Sequence, residues 1–388
     1  MEEKNVKYGI GDQDFRSLRE NGFLYVDKTR YIEKIVEEGK YYFLARPRRF
    51  GKSLLLSTLK YFFEGRRELF KDLYIDSSDW KWEPYPVIHI QFGQERYKEP
   101  RMLEKVLDKT FRELEKRYAI SDISRLYSQR LYDIIKTASK TSGKRVVILI
   151  DDYDKPMIDN LDDKEAFAHC YNLLGGMYGN LKSNAEHIAL AFVAGTYHPG
   201  QFEDLHELNH LYDLSDSRSA AGLCGFTEEE IHKYMSEGIK RFALYNGISE
   251  DEVFDTLRNR YLGYRFSDDS IEVFNPWSVL NALAYSKIRD YWNETGMPSV
   301  VRTSIESLDP SELIELNDIR RKWIFYPCIS HLDYNRIGLL YPHGYLTIKG
   351  YDIEYDEFIL GIPNKEVRDA IYETVNSQKC IESRQVEP

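Results

Sequence analysis

The chain has 388 residues, 42% hydrophobic and 30% charged, and a formal net charge of −11. That length supports two or three packed cores, and the balance is that of a globular chain, not a disordered one. The acidic total argues against a surface built throughout to neutralise a nucleic-acid backbone, and no apolar run approaches the ~18 residues of a membrane span.

In chain order, "MEEKNVKYG" lacks the apolar core of a signal peptide. In "GFLYVDKTRYIEKIVEEGK", Asp27 or Thr29 is placed to cap a helix with Tyr31, Ile32 and Ile35 on its apolar face, ended by Gly39. "KYYFLA" reads as a short buried strand, and beyond a Pro-containing loop Leu55, Leu59, Phe62 and Phe63 recur at helical spacing. "YPVIHIQF" predicts a second strand. A helical region from about 101 to 139 follows, broken near "AISDISRL". "RVVILIDDYDKP" and "HIALAFVAGT" predict a third and fourth strand. Strands alternating with helices imply a doubly wound α/β domain.

Past residue 220 the pattern turns helical. Thr227 with Glu230 forms a capping box, and Asn275-Pro276 marks another helix start. The apolar runs "RIGLLYPHGYLTIKG" and "YDEFILGIP" suggest a small hairpin, and the tail after Ser377 is polar and expected to be loose. Cys170, Cys224, Cys328 and Cys380 show no C-x-x-C or zinc spacing, so reduced thiols and a cytoplasmic location are expected. The aromatic content, 30 Tyr and 19 Phe, suits several internal interfaces.

The chemistry centres on "FLARPRRFGKSLLLSTL". Gly51-Lys52-Ser53 ends a phosphate-binding loop of the G-x-x-x-x-G-K-[ST] type, with Arg46 where the first glycine belongs. In such a loop backbone N–H groups and a helix N-terminus face the anion. Lys52 would reach the β- and γ-phosphates, and the Ser53 hydroxyl would take one position on Mg²⁺. The plain alternative is a helix start with a charged cap. A phosphate loop also calls for a carboxylate at the end of a neighbouring strand, and Asp151-Asp152 follows five apolar residues. Asp151 takes the metal side. Asp152 would orient the attacking water, unless it or Asp154 only caps the next turn. Thr196, at the end of the fourth strand, points toward a γ-phosphate or satisfies a backbone carbonyl. His198 reads as a loop residue. Arg265 would act as a lid arginine or form a surface ion pair.

The segments "FLYVDKTRYIEKI", "YYFLARPRRFGKSLLLSTLKYFFEG", "VVILIDDYDKP", "LCGFTEEEI", "YLGYRFS…VFNPWSVLNAL" and "LLYPHGYLTIKGYD…LGIPNKEVR" resemble the prokaryotic AAA-ATPase-like family, in order along nearly the whole chain. The resemblance implies an α/β P-loop NTPase core of AAA type with a parallel sheet, then a helical lid and a small winged-helix-like module. Mapped here, that gives an N-terminal helical segment (1–35), the ATPase core (36–220), the lid (221–299), the winged-helix-like module (300–377) and a tail (378–388). It implies ATP and Mg²⁺ as ligands, with contacts from Arg46, Pro47, Arg48, Arg49, Phe50, Gly51, Lys52 and Ser53, extended to Leu54 at the helix start. Three departures stand out. The acidic pair is Asp-Asp where Asp-Glu is usual, so hydrolysis is expected to be slow. "GTYHPG" carries no arginine. The PD-(D/E)xK nuclease-like domain often found in such proteins has no room before Pro388, and its absence from this chain is expected.

Three functions fit: a slowly hydrolysing ATP switch, a nucleotide-retaining adaptor without turnover, and a nucleic-acid-associated protein using Arg46, Arg48, Arg49 and a winged hairpin. The sequence singles out no protein partner, and an oligomer is compatible with it.

Overall fold

The computed structural model describes residues 6–99, 101–202, 205–268, 271–322 and 336–385, with side chains to residue 377. Cys328 lies outside the described residues; Cys170 and Cys224 are buried free thiols.

The motif "YVDKT" shows how locally the chain is wired. Asp27 Oδ1 accepts from Thr29 N (2.8 Å) and Thr29 Oγ1 (2.7 Å), starting helix α1 (Thr29–Glu38). Thr29 Oγ1 in turn accepts from Ile75 N at 3.1 Å. Lys28 Nζ donates to the Gly222 carbonyl and to Glu230, whose carboxylate also closes the Thr227 capping box. One charged residue thus ties the N-terminal segment to the helices after residue 220.

Strand β1 (Tyr41–Ala45) leads through the phosphate loop into α2 (Lys52–Phe63), whose Leu55, Leu56, Leu59 and Phe62 are buried. Then come β2 (Val87–Gln91), α3 (Met102–Arg117), α4 (Tyr127–Ser142), β3 (Val146–Asp151), α5 (Lys164–Tyr178), β4 (Ile188–Gly195) and a two-residue edge strand β5 (Tyr212–Asp213). The sheet is parallel throughout, in the order β2-β3-β4-β1-β5. Every residue of β3 is buried, as a central parallel strand covered on both faces must be. One hydrophobic core lies on the α2 face of the sheet and a second on the α3–α5 face.

A third core holds α6 (Glu228–Asn246), α7 (Glu250–Tyr261) and α8 (Pro276–Tyr285). Beyond it stand α9 (Ser299–Glu306), an antiparallel sheet of β6 (Ile319–Lys322), β7 (Thr347–Asp352) and β8 (Glu357–Gly361) in the order β6-β8-β7, and α10 (Lys365–Gln385). The expected hairpin is β7–β8. The first apolar run divides, however: residues 336–340 form a short helix, and Gly344 turns the chain into β7. Helix α10 also runs past Ser377 to Gln385, where a loose tail was expected. Among the described residues no helix is long and apolar enough to cross a membrane.

Asn275 caps α8 by accepting from Trp277 N (2.9 Å) and Ser278 N (3.3 Å), and it is fully buried. Replacing it by alanine leaves two N–H groups of the first turn without this acceptor. N275A should cost about 1–2 kcal/mol in urea unfolding; a loss under a few tenths would show that the cap is not what holds Trp277 in place.

Candidate nucleotide site

The parallel register brings the C-terminal ends of four strands to one edge, with Ala45 opposite Gly195 and Gln91 opposite Asp151. There a cavity of about 860 Å³ opens. Its lining includes Arg48, Arg49, Gly51, Lys52, Ser53 and Leu54 from the loop and the start of α2, Asp151 at the end of β3 with Asp152 and Asp154 just past it, and Thr196 just past β4. Arg48 and Thr196, 148 positions apart in sequence, therefore meet in one site.

The loop departs from the glycine pattern in an explicable way. Its left-handed residues are Arg49 (φ 71°) and Gly51 (φ 95°), so the turn falls later than a first-position glycine would put it. Arg46 instead does structural work. It is 1% exposed, donates to the Ser215 carbonyl at 2.6 Å, and stacks over Phe266 at 4.0 Å. Its side chain is absent from the cavity lining, away from the phosphate contact expected of it. Pro47 and Phe50 are likewise buried. Phe50 packs edge-on against Tyr264 and Phe266, and Pro47 faces Gly344. Arg49 lies over Trp277 at 4.2 Å, and Arg48 is exposed beside the cavity. Lys52 Nζ folds back over its own loop, donating to the carbonyls of Arg46 (2.8 Å) and Pro47 (3.2 Å).

Asp151 is buried, and desolvation together with the neighbouring Asp152 charge raises its pKa, against a hydrogen bond from Ser53 and the charge of Lys52. Its Oδ1 is buried without a hydrogen-bond partner. Asp152 adopts φ 51°, with its Oδ2 so close over Gly93 that a Cβ there would meet it at 2.4 Å. Thr196 is buried at the cavity wall.

Two cavity residues escaped the sequence reading. Asp154, weighed only as a turn cap, has Oδ2 accepting from Thr196 N (2.9 Å) and Tyr197 N (2.7 Å), so it binds the end of β3 to the end of β4. The third acid of "DDYD" was its only signal. His343 also lines the cavity, with Tyr197 Oη 3.0 Å from its Nε2; no local pattern marks it. Arg265 takes the ion-pair alternative. It pairs with Glu272 (3.1 Å), donates to the Lys349 carbonyl, and does not line the cavity. Its backbone N is fastened to Thr347 of β7, which holds the side chain on that side. His198 caps a turn at Gly200 and pairs with Asp213 at 3.0 Å, as a loop residue would.

Among the described residues no cluster of three His, Cys, Asp or Glu could hold a metal alone. Mg²⁺ takes one or two protein oxygens and completes its shell with phosphate and water. The Ser53 hydroxyl beside Asp151, with its orphaned Oδ1, fits that role.

A phosphate loop and an acid-ended strand on a five-stranded parallel sheet define a P-loop-like α/β core. Residues 8–199 match the model of the AAA-ATPase-like family, described as a predicted AAA-ATPase. Over 377 residues, 95% of this chain and 70% of the relative's length, the chain is 31% identical to "Uncharacterized protein in vnfD 5'region" of Azotobacter chroococcum mcd 1. The chain belongs to the AAA-ATPase-like family, a membership that supports nucleotide binding.

Burial is the largest influence on Asp154 and pushes its pKa up to about 7; N–H donation from Tyr197 opposes, and Asp152 adds. A carboxyl raised in the folded state favours the fold while protonated, below the ordinary carboxylate range. That contribution is lost as pH rises through 7. Between pH 4 and 7, wild type should therefore lose stability relative to D154N, by on the order of 1 kcal/mol per pH unit, and the difference should level off above 7. A constant difference in unfolding midpoints across that range would refute it.

Proposed function

We propose that the protein is an ATP-binding, slowly hydrolysing, Mg²⁺-dependent switch. The observation that carries this reading is the convergence of Lys52, Ser53, Asp151, Asp152 and Thr196 on one cavity at the C-terminal edge of a parallel sheet. A second, largely apolar cavity of about 140 Å³ adjoins it and shares Gln13, Arg49, Gly51 and Leu54. Tyr25 and Val26 of the N-terminal segment, Cys224, and Trp277 of α8 line it. Its size and apolar walls suit the purine base, with the phosphates across the loop.

In this reading the loop N–H groups and Lys52 bind the phosphates, Lys52 exchanging its two carbonyl acceptors for phosphate oxygens. Mg²⁺, held by Ser53 with Asp151 on its water side, would neutralise charge on the terminal phosphates. Asp152 orients the attacking water, and Thr196 donates to the terminal phosphate while Asp154 holds its backbone. The helices of residues 221–299 serve as lid, and residues 300–377, with three antiparallel strands and flanking helices, as a winged-helix-like module.

One feature favours the second reading, a nucleotide-retaining adaptor. Asp152 is a methylene shorter than glutamate and is seated over Gly93, which keeps its carboxylate back from an attacking water. The nucleic-acid reading is weakened because Arg46 and Arg49 are engaged inside the molecule and the β7–β8 tip carries Asp352, Glu354 and Asp356.

ATP titration by calorimetry with K52A tests the site. Loss of a charged contact to phosphate should weaken binding at least tenfold; unchanged affinity would sink the proposal. Phosphate release separates switch from adaptor: measurable wild-type turnover, accelerated in D152E, supports the switch, and none in either protein supports the adaptor.

A further inference from the structure

We propose that His343, from the C-terminal part of the chain, is itself a nucleotide-binding residue whose Nδ1–H donates to the phosphate chain of a nucleoside di- or triphosphate held by the loop. The inference rests on reading the large cavity as a nucleotide site, and it adds a contact from outside the P-loop core.

Three observations converge. First, His343 is buried yet lines the phosphate-side cavity, and it lies close enough to Arg48 and Lys52 for their charges to act on it. Second, its Nε2 is 3.0 Å from Tyr197 Oη, and the two rings meet edge to face at 5.3 Å. With the Tyr197 hydroxyl as donor, the ring proton resides on Nδ1. Third, Tyr197 is a fixed platform: its N–H is held by Asp154 at 2.7 Å, and its hydroxyl reaches across to His343. The ring is thus oriented from the same strand end that carries Thr196.

The backbone around His343 is built for close approach. Gly344 has φ 82°, and a Cβ there would meet Pro47 Cβ at 2.9 Å, so this segment rests directly on the phosphate loop. Trp292 Nε1 reaches the Arg48 carbonyl at 3.4 Å, a second contact between the loop and the chain beyond the α8 helix.

The chemistry of the ring fits a donor better than a base. Desolvation, with the Arg48 and Lys52 charges, pushes its pKa down to about 3, so it is neutral at physiological pH. A neutral imidazole adds a hydrogen bond to a phosphate oxygen without crowding another cation beside Lys52 and Arg48. Bound nucleotide would then bridge the loop and the segment at 341–345, making the docking of the C-terminal part depend on the ligand.

Calorimetric titration of ADP and of Mg-ATP into the full chain tests this with wild type, H343A, H343N and Y197F. Loss of a hydrogen bond to a charged group should raise both dissociation constants about tenfold or more in H343A. In H343N the side-chain amide places an N–H where Nδ1–H stands, so affinity should stay within threefold of wild type. Y197F keeps the ring but frees the imidazole, and should weaken binding about fivefold. An affinity for H343A within threefold of wild type, or H343N as weak as H343A, overturns the inference. If H343A does not fold, Y197F decides it, and wild-type affinity there overturns it. A wild-type protein that binds neither nucleotide overturns the nucleotide reading and this inference with it, whereas tight wild-type binding with unchanged H343A overturns this inference alone.

Discussion

The parallel pairing of β3, β4 and β1 is the constraint on which the site depends. Ala45 stands opposite Gly195, and Ile150 opposite Val193, so the loop, the acids and Thr196 leave the sheet at one edge. A parallel register is evenly spaced and slanted, and nothing in it fixes where two strand ends stop relative to each other. Asp154 supplies that stop. Its carboxylate takes the first two N–H groups beyond β4, while Tyr153 N donates to the Ala194 carbonyl. The acid run after β3 is therefore a clamp on its neighbour as well as a set of charges.

Placing three carboxylates at a partly desolvated edge carries an electrostatic cost. The protein meets it unevenly. Asp154 is satisfied by two backbone donors, Asp151 by Ser53 and the charge of Lys52, and one Asp151 oxygen remains without a partner. Lys52, for its part, is satisfied by its own loop carbonyls. The site therefore holds one orphaned acceptor beside a cation engaged only by its own loop.

How much of this was legible follows from the range of each interaction. The four long strands, the Thr227 capping box and the Asn275 cap are local patterns, and the structure has all of them. Strand β5 was not, because two residues carry no periodicity. The loop and Asp151-Asp152 were readable because strand, turn and helix chemistry surround them. The roles of Asp154 and His343 were not, since each is set by Thr196 and Tyr197, and for His343 that partner lies 146 positions away. Arg46 and Arg265 looked like phosphate arginines for the same reason in reverse. Their acceptors, Ser215, Ala220, Lys349 and Glu272, are visible only once the chain is folded.

The unusual entry to the phosphate loop can now be argued as a balance. With Arg46 drawn into the core by Ser215 and Phe266, its position has no left-handed glycine, and the turn passes to Arg49 at φ 71°. A non-glycine residue in that region costs on the order of 1 kcal/mol or more. Arg49 recovers about 0.5–2 kcal/mol by stacking on Trp277, more as the pair is desolvated. The two magnitudes are close, so the loop shape depends on α8 holding Trp277 against it. Trp277 is in turn fixed by the Asn275 cap and by its Nε1 donating to the Tyr291 carbonyl at 3.0 Å. Loop conformation and the position of α8 are therefore one equilibrium. A ligand that draws the Arg49 charge toward phosphate weakens the stack, and with it the grip of α8 on the loop.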